Sequence, residues 1–367
     1  MSIQRKNGFY RWCLVTLLMV IALVGCGETE GPVVDEPSPE ANSSDLHVKD
    51  DSSQAKLGDK SIVFMSKKDN PHGDLYRIAR SGAIERLTTN ERHDNNPAVS
   101  PDGKWLAFHG GEEGDPLTWE IFVLNMETGE EVQVTNNQVI DGHPDWSPDG
   151  TKLIFSHFGN DKGEATPTAD LYLYDLQTKE MTQLTHSPHE ENDPEWSPDG
   201  QWIVYKSTER TQEAGREEIY VMRSDGSDPR RLTTTQGWES DHDPSWSPDS
   251  RRIVFERFMG DTPWYRMGET EFLIKNVDRL TPWNLFEVTL EGDLRQLTQV
   301  DKGDIAFLPI YGDTANQVLY ILIDFLIVDG QVIGAEKHIY ALDTETGETT
   351  LVFEDEGHKY YLEYFDR

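Results

Sequence analysis

The chain has 367 residues, 67 of them acidic and 33 basic, for a formal net charge of −34. Such a surface repels phosphate backbones and anionic lipid headgroups, which argues against nucleic acid or bare membrane surfaces as partners. Apolar residues make up 36% and aromatics 10%, with 29 Gly and 19 Pro, a balance that suits short strands and turns better than helices.

The chain opens with Arg5, Lys6 and Arg11, then an apolar run from Trp12 to Val24 that ends Leu23-Val24-Gly25-Cys26. A basic start, a short apolar stretch and small residues before a cut site predict a secretory signal over residues 1–26. The run is too short to predict a membrane-spanning helix. The ending "LVGC" resembles a bacterial lipobox, which implies lipidation of Cys26; the alternative is an ordinary signal peptide in which that cysteine is incidental. The only other cysteine, Cys13, lies inside the signal, so an exported chain lipidated at Cys26 is expected to lack disulfides. Residues 27–57 are rich in Glu, Asp, Ser and Pro and poor in large apolar side chains, so they read as a disordered tether.

From residue 58 to 367 the sequence repeats itself. "WSPDG" stands at Trp146–Gly150 and Trp196–Gly200, with near-copies at Val99–Gly103 and Trp246–Ser250. Around each lie four short alternating segments of the kind seen in "HPDW", "KLIF", "LYLYDL" and "MTQLT", taken here as strands A to D. In Ser147-Pro148-Asp149-Gly150, Pro sets the φ of a type I turn and Gly takes the left-handed position after it, a compact A-to-B connection. Ser250 replaces that Gly in the fourth copy, so its turn is expected to be strained or altered. Trp146, Trp196 and Trp246 end strand A and are expected to wedge between neighbouring sheets, with ligand stacking as the alternative.

Strand B recurs at Ile62–Ser66, Trp105–His109, Leu153–His157, Trp202–Ser207, Ile253–Arg257 and Val318–Ile323. Strands C and D also recur six times, but no strand A precedes Ile62. The missing copy is supplied by "HKYYLEYFDR" at the far end. The prediction is an all-β, six-bladed β-propeller whose closing blade combines the N-terminal strands with the C-terminal one, leaving no exposed sheet edges.

The unit "DP-WSPDG-IVF-S … IYV … G … RLT" resembles the TolB-like (WD-like) propeller repeat, which also occurs in the propellers of dipeptidyl peptidases. The match is close at Pro144, Pro194 and Pro244, lacks the Trp at Pro97, and is degenerate afterwards. TolB carries a separate N-terminal α/β domain where this chain has the tether, so the resemblance implies the propeller and not a role in the Tol–Pal system.

With strand A innermost, the D-to-A and B-to-C loops share one face and the "SPDG" turns lie on the other. Three residues before the strand-A proline stand Asp94, Asp141, Glu191 and Asp241; one residue before it stand Asn96, His143, Asp193 and Asp243. With His93 and His242 beside them, these residues are expected to line the D-to-A mouth of a central channel. One reading has the Asp side chains capping their own loops through backbone N–H groups. The other is a negative funnel for a basic peptide, a cation or Ca2+. No contiguous "DxDxDG" loop is present, and His93, His143, His189 and His242 lack fixed metal-ligand spacing, so the metal is left unknown.

The longest B-to-C connection, Arg257–Asn284, brings Met259, Trp264, Tyr265 and Arg266 to the same face, either as a recognition lip or as a packed cap. Phe158–Thr168 reads as a small flexible loop. No "GxSxG", phosphate loop or "HExxH" occurs. The expected function is therefore a lipid-anchored exported module that binds an envelope protein or peptide and no nucleic acid. Gly27 after the cysteine points to the outer membrane facing the periplasm, or to the cell surface. The alternative is a metal-dependent lyase or hydrolase acting on an envelope or extracellular polymer.

Overall fold

Alternating apolar and polar residues give strands throughout. A computed structural model describes residues 60–366, except 80–82, 161–162, 210–215, 238, 260–282, 301–304, 313, 329–330 and 355–358. The leader, Cys26 and the tether therefore lie outside the described residues.

The strands come in antiparallel groups that follow the sequence units. The first group is β1 (Lys60–Ser66), β2 (Asp74–Ile78) and β3 (Ile84–Arg86). Next come β4 (His93–Val99), β5 (Trp105–Gly111), β6 (Glu120–Asn125) and β7 (Glu131–Gln133). The third group is β8 (Asp141–Trp146), β9 (Lys152–Gly159), β10 (Ala165–Asp175) and β11 (Met181–Gln183). The fourth is β12 (Glu190–Trp196), β13 (Trp202–Glu209), β14 (Arg216–Arg223) and β15 (Arg230–Arg231). The fifth is β16 (Ser240–Trp246), β17 (Arg252–Phe258), β18 (Trp283–Thr289) and β19 (Leu294–Gln296). The sixth is β20 (Ile305–Tyr311), β21 (Gln317–Val328), β22 (Gln331–Asp343) and β23 (Thr349–Glu354). A single parallel bridge, Trp283 to Ile305, joins the fifth and sixth groups into one hydrogen-bonded sheet. The last strand, β24 (Lys359–Asp366), pairs antiparallel with β1, from Lys60 opposite Asp366 to Ser66 opposite Lys359.

The first strands of the groups neighbour one another in series: β4 lies against β24 and β8, β12 against β8 and β16, β20 against β16 and β24. Apolar clusters fill the gaps between consecutive groups. Val63, Leu75, Phe108 and Phe122 fill one gap, and Ala107, Trp146 and Leu153 the next. Ile62, Phe64, Phe307 and Ile321 fill the gap between the sixth group and the first. Strand alternation explains why Ile62 and Phe64 serve one cluster while Val63 and Met65 serve the other.

Two repeated side-chain devices account for the motif letters. In each turn the Ser hydroxyl donates to the turn Asp and accepts the N–H of the first residue of the following strand, as in Ser147 to Asp149 (2.7 Å) and Lys152 to Ser147 (2.9 Å). The threonines of the "LT" motif ("VT" in the second group), Thr88, Thr135, Thr185, Thr233 and Thr298, accept the N–H of Leu75, Ile121, Leu171, Ile219 and Leu285 at 2.9–3.0 Å. The tryptophans wedge as expected: Trp146 is 6% exposed and its indole N–H donates to the Ala98 carbonyl at 3.0 Å. Ser250 keeps the glycine geometry, with φ of 58° against 70° at Gly150, and its hydroxyl accepts the Asp199 N–H from the neighbouring turn at 3.0 Å. Where a flexible loop was expected at 158–168, β9 and β10 instead lengthen and pair again at Gly159 and Ala165.

Candidate functional site

Five of the inner strands bend where their proline sits. The residue before that proline has a left-handed backbone in five strands: Asn96 (φ 49°), His143 (53°), Asp193 (51°), Asp243 (47°) and Leu308 (51°). The register shifts at the same point, between Asn95 and Ala98, Gly142 and Asp145, Asn192 and Glu195, His242 and Ser245, and Phe307 and Ile310. Each is a β-bulge, which re-aims the bulged side chain; Asn, Asp and His tolerate the left-handed region better than most residues. Leu308 carries no polar group, so the sequence pattern of polar residues before proline gave no sign of the fifth bulge.

The five bulge residues line a cavity of about 380 Å³ together with their prolines, Pro97, Pro144, Pro194, Pro244 and Pro309. Its wall continues through Trp146 and Trp196 to the turn prolines Pro101, Pro148 and Pro198. The cavity therefore runs from the bulges toward the "SPDG" turns, the face opposite to the one the sequence suggested.

The residues three before the prolines do not line it. Asp94, Asp141 and Asp241 are 0% exposed and Glu191 4%, each bonded to its own group of strands. Asp94 receives Asn90 (2.7 Å) and Arg92 (3.2 Å), and Asp141 receives Asn137 (2.7 Å) and contacts His157 (2.5 Å). Glu191 receives the Ser187 hydroxyl. Asp241 takes Arg257 through Nε (2.5 Å) and Nη2 (2.8 Å), and the Thr233 hydroxyl (2.6 Å). The expected carboxylate mouth is thus corrected. Alternation turns these side chains sideways into the sheets, where side-chain donors hold them rather than the backbone N–H groups of an Asx cap. Burial pushes the Glu191 carboxyl up to about 7 and that of Asp94 up to about 6.

Around the bulges runs a chain of ionisable side chains. His143 Nδ1 lies 3.0 Å from Asp193, whose other oxygen is 2.7 Å from Lys206 Nζ. Lys206 lies 3.7 Å from Glu217, and Glu217 is 2.7 Å from His242 Nδ1. Burial opposes charge on Lys206, yet Asp193 and Glu217 hold its ammonium well above its ordinary pKa. Burial likewise opposes charge on Asp193, but His143 and Lys206 keep it below the usual carboxylate value. Asp243 goes the other way, pushed up to about 6 by burial and then by the Asp193 charge. Glu256, raised well above its ordinary value by burial and the Asp243 charge, accepts the Leu308 N–H at 2.5 Å.

Sequence reasoning missed Lys206, Glu217 and Glu256. The signal was a column of β-strand residues, His109, Ser156, Lys206 and Glu256, paired with the residues just before the bulges. Met259 packs at the edge of an apolar cluster and its sulfur accepts the Asn284 amide at 3.7 Å, whereas Trp264, Tyr265 and Arg266 lie outside the described residues. Among the described residues no three or more His, Cys, Asp or Glu side chains converge in a way that could hold a metal ion.

Residues 117–257 match the family model for the TolB beta propeller domain. The chain carries a TolB-like β-propeller. TolB of Alcanivorax borkumensis, a Tol-Pal system protein, is 32% identical over 88 residues, which is 24% of this chain and 20% of that one. An uncharacterized protein of Agrobacterium fabrum is 30% identical over 104 residues, 28% of this chain and 34% of its own length. This chain's matches thus span about a third or less of the curated relatives. The TolB-like propeller superposes on TolB of Acinetobacter baumannii with a TM-score of 0.61 at 16% identity, covering 84% of this chain and 68% of that one. An oligogalacturonate lyase in complex with manganese shares the fold with a TM-score of 0.52 at 15% identity, covering 82% and 76%.

Proposed function

We propose that this chain is an exported, lipid-anchored propeller that binds a protein or peptide partner at the turn-side end of its channel. The observation that carries the reading is the cavity. It is walled by eight prolines and two tryptophans and floored by Asn96, His143, Asp193 and Asp243. Rigid prolines and indole rings lose little conformational freedom on contact, so they suit recognition of an extended segment. The TolB relatives favour an envelope setting, and the leader with its lipobox-like Cys26 supplies the route there.

In this reading the strand groups form six blades, closed by β24 on β1. The serial neighbouring of the inner strands and the apolar cluster between the sixth group and the first support that closure.

The test is site-specific photo-crosslinking in cells, with benzoylphenylalanine at Pro148 on the cavity wall or at exposed Thr178 on the outer rim. One discrete cross-linked protein from position 148 and none from 178 is expected; equal or absent cross-linking would refute the assignment. Cys26→Ser is expected to abolish incorporation of an alkyne-tagged fatty acid, and retained labelling would refute the anchor.

A further inference from the structure

The channel floor holds one cavity-lining carboxyl, Asp243, that no described residue meets at ion-pair distance, although Lys206, His242 and His143 act on it from farther off. Asp193 is met by Lys206, and Glu217 by Lys206 and His242. Among the described residues neither Asp243 nor Glu256 has an ion pair, and only Asp243 of the two lines the cavity.

A second observation is independent of these acids. His109 is 1% exposed, with neither ring nitrogen bonded to a described residue; its ring lies edge-on to His143 at 6.0 Å. Asn96, on the cavity floor, has a buried and unbonded Oδ1, and Ser156, 0% exposed, has an unbonded hydroxyl. Buried polar atoms are rarely left without partners; of these, Asn96 Oδ1 belongs to a cavity-lining residue, and His109 lies behind His143, which lines the cavity too. They are acceptors, or can act as acceptors, and an ammonium group offers three donors.

Resting on the reading that a partner segment enters this cavity, we propose that the channel floor selects a lysine side chain, whose ammonium binds Asp243 with Asn96 and His143 beside it. Lys206 is the internal precedent, since it meets Asp193 from inside the wall as the guest would meet Asp243 from the cavity. An anionic guest would meet the excess carboxylates. A bare metal ion would lack converging donors among the described residues.

The experiment uses the full-length protein in detergent and two blocked peptides, Pro-Gly-Lys-Gly-Pro and its norleucine counterpart, titrated by calorimetry. Charge-assisted bonds are roughly twice as strong as neutral ones, so the lysine peptide is expected to bind at least about tenfold tighter. Asp243→Asn, which keeps a side chain suited to the left-handed backbone, is expected to erase that preference, while Asp225→Asn in the exposed turn between β14 and β15 leaves it intact. Equal affinity for the two peptides, no binding by either, or a preference that survives Asp243→Asn would overturn the inference. If the cross-link from position 148 persists through such a result, the cation choice alone has failed; if it is missing as well, the binding site itself has failed.

Discussion

Replacing Asp241 with Ala separates a structural role from a binding one. Its carboxylate is 0% exposed and holds the Arg257 guanidinium, 5% exposed, through two hydrogen bonds, with the Thr233 hydroxyl as a third donor. Deleting one partner of a buried pair strands the other charge away from water and costs about 3–5 kcal/mol, whereas replacing both with apolar groups of similar volume is close to neutral. Burial raises the Asp241 carboxyl despite the pull of Arg257, so desolvation outweighs attraction here. Asp241→Ala is therefore expected to lower unfolding free energy by about 3–5 kcal/mol in urea, and Asp241→Ala with Arg257→Met to recover most of it. Native-state affinity for a cavity ligand should stay the same in both. A loss below about 1 kcal/mol, or a double variant no better than the single one, would refute the assignment of Asp241 to a buried structural pair.

Thr233→Val removes the acceptor for the Ile219 N–H and the donor to Asp241, and is expected to cost about 2–3 kcal/mol in the same urea assay. Asp145 accepts the Trp196 N–H at 2.7 Å, and burial pushes its carboxyl up to about 7. A raised folded-state value means that the native protein holds a proton the unfolded chain has released. Stability from this group is full below about pH 3.8 and is lost as pH rises from there through 7, so Asp145→Asn should flatten the slope over that interval by up to about 1.4 kcal/mol per pH unit. His93 works in the opposite sense, since burial lowers its value to about 4. Its contribution is lost as pH falls from 6.5 toward 4, and His93→Gln should lessen the loss of stability measured over that interval. Trp146→Phe removes the indole donor to the Ala98 carbonyl and leaves that acceptor buried, for a loss of about 1–3 kcal/mol by thermal or urea unfolding.

The repeat was legible because its letters are local chemistry. Pro148 and Gly150 specify a turn, Ser147 and Asp149 tie it, and Thr185 clasps the adjacent strand, all within one unit. The site was half legible for the same reason. Position alone marked Asp141 and His143 as equals, yet a bulge between Gly142 and Asp145 turns His143 to the channel and leaves Asp141 inside the sheet. Lys206 and Glu217 were hidden because they lie on separate strands, and their link to His242 of the next group exists only in the folded chain. Leu308 was hidden by its chemistry, being apolar in a ring whose other members are polar.

Pairing of β24 with β1 joins strands that lie about three hundred residues apart in the chain. As the chain emerges from its amino end, β1 appears early and waits for some three hundred residues before its partner arrives. Until then its backbone amides are available to chaperones or to a misplaced strand. A chain without β24 leaves that edge of β1 unpaired, so protection of the earliest strand depends on one made some three hundred residues later.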